Sequence, residues 1–224
     1  MKDTSLLKLG GIAAILLGIV NALSSVLYLI LPTEQRAAVP AAQILPSVAQ
    51  GATLLMLTFL LQALVGVLGL VVVPALSRLV EDVNEGWVRW TSNLALAGFI
   101  VSAVGYLLSM ARLPGIATAF VAGDASTKAA LAVVWKSSID LQGFWGYGAV
   151  GVWVFVISLL ALRKANYPKL LAYLGLVLGI AYWVIPAGTI LKSQPLLIAG
   201  AVVGTVVTTI WYVWAGIHAR SSAQ

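Results

Sequence analysis

Six stretches in which polar side chains almost vanish divide the chain, at about 8–31, 52–76, 90–111, 143–163, 168–190 and 195–218. Each is long enough to cross a hydrocarbon core, which needs about 20 residues of helix. Charged residues fall at or beyond the ends of the stretches. The pattern predicts an all-α fold: a polytopic transmembrane bundle of six spans, forming one integral membrane domain over 1–224. The fourth and fifth stretches are the clearest pair, because only the short basic turn from Arg163 to Lys169 separates them. So short a link fits antiparallel neighbours, with Asn166 ending one helix and Pro168 suited to the first turn of the next. The first stretch is longer than the 7–15 residue core of a cleaved signal peptide and is expected to be a retained span ended by Pro32.

The connections carry most of the remaining pattern. Residues Thr33 to Gly51, rich in Ala and Pro, read as an ordered surface connection. Arg78 to Arg89 holds Glu81, Asp82 and Glu85 and reads as a hydrated turn. Arg112 and Pro114 are expected to close the third span. In the long connection that follows, Thr127 to Gln142 places Leu131, Val134, Trp135 and Ile139 on one helical face and Lys128, Lys136 and Asp140 on the other. That is the pattern of an amphipathic helix lying in the membrane interface, or of an outward extension of the fourth span.

Composition agrees: 61% of residues are hydrophobic and 9% charged, against about 25% charged in a soluble domain. The net charge of +6 would in a soluble protein point to nucleic acid. Here the cations sit between apolar runs, so topology and anionic headgroups account for them. Eight Lys and Arg lie on the side of the termini and five on the other, which predicts cytoplasmic termini. Trp87, Trp90, Tyr167, Trp211, Tyr212 and Trp214 then fall near the inner interface, and Trp135, Trp145, Tyr147, Tyr182 and Trp183 near the outer one, with Trp153 at mid-span.

Small residues recur at helical spacing, as in Thr91, Ala95, Gly98, Ser102, Gly105 and Ser109 of the third span and Gly11, Ala14, Gly18, Asn21 and Ser25 of the first. Such stripes let helices approach closely in lipid, where the hydrophobic effect does not drive their association. The polar residues inside the spans, chiefly Asn21, Tyr28, Gln62, Ser102 and Tyr106, are uncharged. They serve as interhelical bonds or as contacts to a polar ligand.

Several chemistries lack their residues. There is no cysteine and a single histidine, His218; bis-histidine haem ligation and a cysteine-ligated metal are excluded. No lysine lies at mid-span for a Schiff base, and the glycines from Gly143 to Gly151 lack the lysine and strand context of a phosphate loop. No metal and no cofactor is expected. The outer side holds the candidate site: Asp140 with Lys136 one turn earlier, the aromatic start of the fourth span at Trp145 and Tyr147, and Trp183 opposite, with Asn21, Gln62 and Tyr106 as polar positions deeper in the bundle.

The segment Tyr167 to Gly175, followed by Gly179-Ile180 and Pro186, resembles the hairpin of a family of six-helix bacterial integral membrane proteins, the "domain of unknown function 4386" type. The resemblance implies a six-span fold in a bacterial cytoplasmic (inner) membrane and carries no activity with it. The function expected is that of a non-enzymatic, membrane-embedded binding or interaction protein, an accessory subunit or lipid-associated scaffold. The alternative is a small transporter or receptor for a neutral or lipophilic molecule. The expected partners are membrane lipids and further subunits or copies of the chain, with no nucleic acid.

Overall fold

A segment inside a bilayer must satisfy its backbone hydrogen bonds internally, so apolar stretches of this length become helices. The computed structural model describes residues 4–36, 39–136, 139–140 and 143–223, and among them there is no strand. Six elements are long and apolar enough to span: α1 (Thr4–Ile30), α3 (Thr53–Arg78), α4 (Glu85–Ala122), α6 (Val150–Ala161) with a π-helical turn (Phe144–Ala149) leading into it, α7 (Lys169–Ile190) and α8 (Gln194–Ser221). Two shorter helices, α2 (Ala41–Gln50) and α5 (Ala125–Lys136), lie in the connections. The protein is therefore a multi-pass membrane protein, and an even number of crossings puts its two ends on one side, called here the near side.

The six spans close into a ring. α1 packs on α3 and α8, α3 on α4, α4 on the π turn and α6, α6 on α7, and α7 on α8. Small residues set the spacing at these contacts, as the first-span stripe predicts. A Cβ at Gly11 would lie 2.7 Å from the carbonyl of Gly216, and one at Gly216 would lie 2.5 Å from the carbonyl of Gly11. α1 and α8 thus cross backbone to backbone.

The near half of the ring is filled. Leu17, Val72, Val73, Val154, Leu171 and Leu178 pack around Trp153, which is 0% exposed. The Trp153 indole donates to Ser77 Oγ at 2.8 Å, and Ser77 Oγ lies 2.7 Å from Ser92 Oγ. Its ring meets Trp211 edge-on at 6.2 Å, and Trp211 meets Tyr212 at 4.8 Å. One indole from α6 therefore reaches across the ring to α3 and α8. Trp211 and Tyr212, expected at the lipid interface, are both 1% exposed. They occupy the inward face of α8, and a position along the chain does not reveal which face that is.

Near-side turns are tied by charge. Lys164 Nζ donates to the Leu79 carbonyl at 2.8 Å and pairs with Asp82 at 2.7 Å, joining the α3–α4 turn to the α6–α7 turn. Arg78 pairs with Glu81, and Arg89 with Glu85 at 2.6 Å. Lys169 Nζ donates to the carbonyls of Leu162 at 2.6 Å and Lys164 at 2.9 Å. These are orphan carbonyls at a helix C-terminus, which favour a cation. The stretch read as a hydrated turn is thus part of a fixed network.

On the far side the third span does not stop where the sequence places its end. α4 continues through Arg112 and Pro114 to Ala122, 38 residues in all, or about 57 Å of helix. A proline inside a helix costs about 3 kcal/mol or more. Leu113, Ala117 and Phe120 offset it by packing with Ile44, Leu45 and Val48 of α2 and Leu55 of α3, since a buried Leu or Phe contributes roughly 1.5–3 kcal/mol. This second core forms a far-side cap. Buried Gln35 pins its first connection, donating to Gly51 O at 2.7 Å and Ser47 Oγ at 3.1 Å. Arg36 closes α1 by donating to the carbonyls of Leu29 at 3.0 Å and Leu31 at 3.1 Å. The amphipathic helix is α5, described as far as Lys136, and the chain turns at Ile139 and Asp140, while Ser137 and Ser138 lie outside the described residues. Leu131 and Trp135 face the second core, while Val133 and Val134 are exposed. Leu141 and Gln142 lie outside the described residues.

Candidate functional site

Asp140 builds the far-side site. Its carboxylate accepts from the backbone N–H of Trp145 at 3.1 Å and of Gly146 at 2.7 Å. These amides open the π turn, where unsatisfied N–H groups and the helix dipole favour an anion. Asp140 was paired in the sequence with Lys136, whose side chain lies outside the described residues. Gly143, at φ 70°, turns the chain between Asp140 and the helix, a left-handed conformation that glycine adopts without steric cost. Its N–H donates to Asp140 O at 3.1 Å, and its own carbonyl accepts from Tyr147 at 3.0 Å and Gly148 at 3.1 Å. On α4, a Cβ at Gly98 would lie 2.5 Å from the Trp145 carbonyl, so the turn packs directly on that helix.

The extra residue of the π turn sends Tyr147 into the ring. Its hydroxyl lies within hydrogen-bonding reach of the Tyr106 hydroxyl from α4, and both are within electrostatic range of Asp140. Its ring meets Tyr182 of α7 at 5.6 Å. Tyr28 comes within electrostatic range from α1 on the opposite wall. Tyr182 and Thr208 of α8 share a hydrogen bond of 2.8 Å, and Phe59 of α3 lies 5.8 Å from the Tyr106 ring. Every wall of the ring thus contributes to one cluster. Tyr147 and Tyr28 nevertheless stay 37% exposed, so the far-side cluster is open to its surroundings where the near half is a packed core.

The third-span stripe divides at this boundary. Thr91, Ala95 and Gly98 are buried in contacts, and Ser102 borders Gly146, whose Cβ position would lie 3.7 Å from Ser102 Cβ. At Gly105 no described atom lies within 4 Å of a Cβ. One continuous packing face is not what the structure shows: the stripe packs as far as the π turn and meets no described neighbour at Gly105.

The remaining sequence candidates sit apart from the cluster. Trp145 and Trp183 form a rim, both edge-on to Phe144 at 6.1 and 5.6 Å and 39% and 40% exposed. Asn21 donates to Thr209 Oγ1 at 3.5 Å, linking α1 to α8. Gln62 donates to buried Ser24 Oγ at 2.9 Å, linking α3 to α1. Tyr28, a polar position of the first span in the sequence, and Tyr182, an outer-interface aromatic there, join the cluster together with Thr208. Their signal was the ring order, which brings α1, α7 and α8 around the π turn.

A cavity of about 580 Å³ opens on the near side among Arg78, Asp82, Glu85, Lys164, Tyr167 and His218. Its Arg78, Asp82, Glu85 and Lys164 are engaged in the ion pairs described above. Burial pushes the Tyr167 phenol above its ordinary value, and its ring lies 4.7 Å from that of His218.

The family model described as Domain of unknown function (DUF4386) matches residues 9–217. No curated protein and no solved structure matches the chain.

Proposed function

We propose, on the premise that the chain belongs to the DUF4386 family, that it is a non-catalytic, membrane-embedded binding protein. In this reading the far-side tyrosine cluster forms a basin that receives a small lipophilic molecule carrying hydrogen-bonding groups. The observation that carries this reading is Tyr147, which enters the middle of the ring, meets aromatic partners from several walls and remains 37% exposed. Phenol rings supply apolar area and their hydroxyls fix orientation, the usual make-up of a small-molecule site. Native mass spectrometry in mild detergent tests it. A co-purified small-molecule adduct is expected on the wild type and absent from Tyr106→Phe/Tyr147→Phe at unchanged melting temperature. An adduct that survives both substitutions excludes the basin.

The exposed apolar side chains of the far-side cap favour a second reading, an accessory subunit or lipid-associated scaffold. Val133 is 70% exposed, Val134 51% and Ile139 57%. A stoichiometric protein partner lost on Val133→Asp/Val134→Asp, with no adduct in the basin, would select it. Either reading goes with a bacterial cytoplasmic membrane and the near side inward, which the excess of Lys and Arg in the near-side connections supports, the basic charge meeting headgroups and not nucleic acid. As the chain has no cysteine, single cysteines report the orientation. In intact cells an impermeant thiol reagent should label Ala122→Cys and spare Ala165→Cys; the reverse pattern inverts the topology.

A further inference from the structure

We infer that the near-side groove between α1 and α8 is a binding site for one anionic phospholipid. The groove encloses about 350 Å³ and is lined by Lys8, Ile12, Ile217, Arg220 and Ser221. The glycine crossing creates it: α1 and α8 touch at Gly11 and Gly216, and the Arg220 stem lies across Gly11, with its Cγ 2.5 Å from where a Cβ would stand. This brings two cations from opposite ends of the sequence to the mouth of one groove. Elsewhere on the near side Arg78, Arg89 and Lys164 pair with acids. Lys8 and Arg220 have no such partner among the described residues. Two like charges held at one groove repel each other, and an anion bridging them turns that repulsion into attraction.

The floor of the groove determines what kind of anion fits. Ile12 is 46% exposed and Ile217 55%, and Leu16, Ile19 and Ile210 continue the same apolar outer surface toward the middle of the bilayer. An occupant with an anionic head between Lys8 and Arg220 and acyl chains along these isoleucines satisfies both ends. Basic pockets between spans at the headgroup level are suited to this class of lipid. Free phosphate matches the cations but leaves the apolar track uncovered.

The test uses the full chain in mild detergent, titrated with phosphatidylglycerol or with phosphatidylcholine of identical chains and read by native mass spectrometry. One phosphatidylglycerol is expected to bind wild type at least about 10-fold more tightly than phosphatidylcholine, in line with roughly a fivefold step per basic residue near an anionic surface. Lys8→Gln/Arg220→Gln should remove that preference. Arg163→Gln/Lys192→Gln, which removes the same charge elsewhere, should keep it. Equal binding of the two lipids by wild type, a preference lost equally in both double variants, or displacement of the lipid by millimolar inorganic phosphate would each overturn the assignment. The wild-type comparison decides even if the first double variant does not fold.

Discussion

The two halves of the ring are built from the same six helices yet solve opposite problems. In the near half, large side chains fill the middle, with Trp153 fully buried and hydrogen-bonded through Ser77 to Ser92. In the far half the middle is left to tyrosine hydroxyls and a carboxylate held by backbone amides. Integrity there comes from a second core outside the ring. A bundle can thus concentrate its packing at one end and leave polar groups open at the other, provided the open end is braced from outside. The comparison predicts unequal sensitivity to substitution.

The largest effect should come from Trp153→Ala. Removing a fully buried indole leaves a cavity and strips Ser77 of its donor, a loss of about 3–5 kcal/mol. Trp145→Ala, on the exposed rim, should cost no more than roughly 0.5 kcal/mol. Unfolding in mild detergent, followed by near-UV circular dichroism, gives both values. Similar losses at the two tryptophans would mean that the far half is packed as tightly as the near half.

Next in size is a pair of glycines. A Cβ at Gly179 would stand 2.7 Å from Phe155 Cβ and 2.9 Å from the Gly151 carbonyl, with no room for adjustment between α6 and α7. Gly179→Leu should therefore force the two helices apart and cost about 3 kcal/mol, at the upper end of overpacking effects. Gly105→Leu meets no described neighbour and should leave the melting temperature nearly unchanged while displacing any ligand from the basin. The contrast is read from melting temperature together with adduct retention.

How much of this was legible follows from the kind of signal each feature leaves. The spans are readable because a bilayer imposes a minimum length of apolar residues, and the hairpin around Asn166 and Pro168 because short turns leave few options. Pro114 misleads because its local preference to end a helix is outweighed by contacts of Leu113 and Phe120 with residues about 70 positions away. The partners of Asp140 are backbone amides of a π turn, and such a turn has no side-chain signature to betray it. Trp211 and Tyr212 sit at the chain position of an interfacial anchor, but ring order decides that they point inward. Ring order is a property of six helices together, so no single stretch contains it.

A smaller effect is expected at Asp140→Asn. Trp145 N–H and Gly146 N–H donate to different carboxylate oxygens, so the amide keeps one acceptor, loses the other bond and brings no charge, and about 1–2 kcal/mol should be lost. Hydrogen exchange should rise at the π turn and not at α1 or α8. Uniform exchange across the ring would show that the turn is held by packing alone and that the far half does not depend on its carboxylate.

The smallest effect concerns the brace outside the ring, where Asp124 caps α5. Its Oδ1 accepts from the Thr127 N–H at 2.8 Å and from Ser126 Oγ at 3.0 Å. The Thr127 bond, first among the causes, lowers the carboxyl from its ordinary 3.8 to about 2. A folded value below the unfolded one means that the cap stabilises α5 above pH 4 and is lost as pH falls toward 2. Limited proteolysis at the α5 bonds is therefore expected to rise between pH 4 and pH 2 in wild type. In Asp124→Asn, whose side-chain oxygen accepts without titrating, cleavage should be independent of pH. Equal sensitivity in the two proteins would assign the change to another group and separate the stability of α5 from its cap.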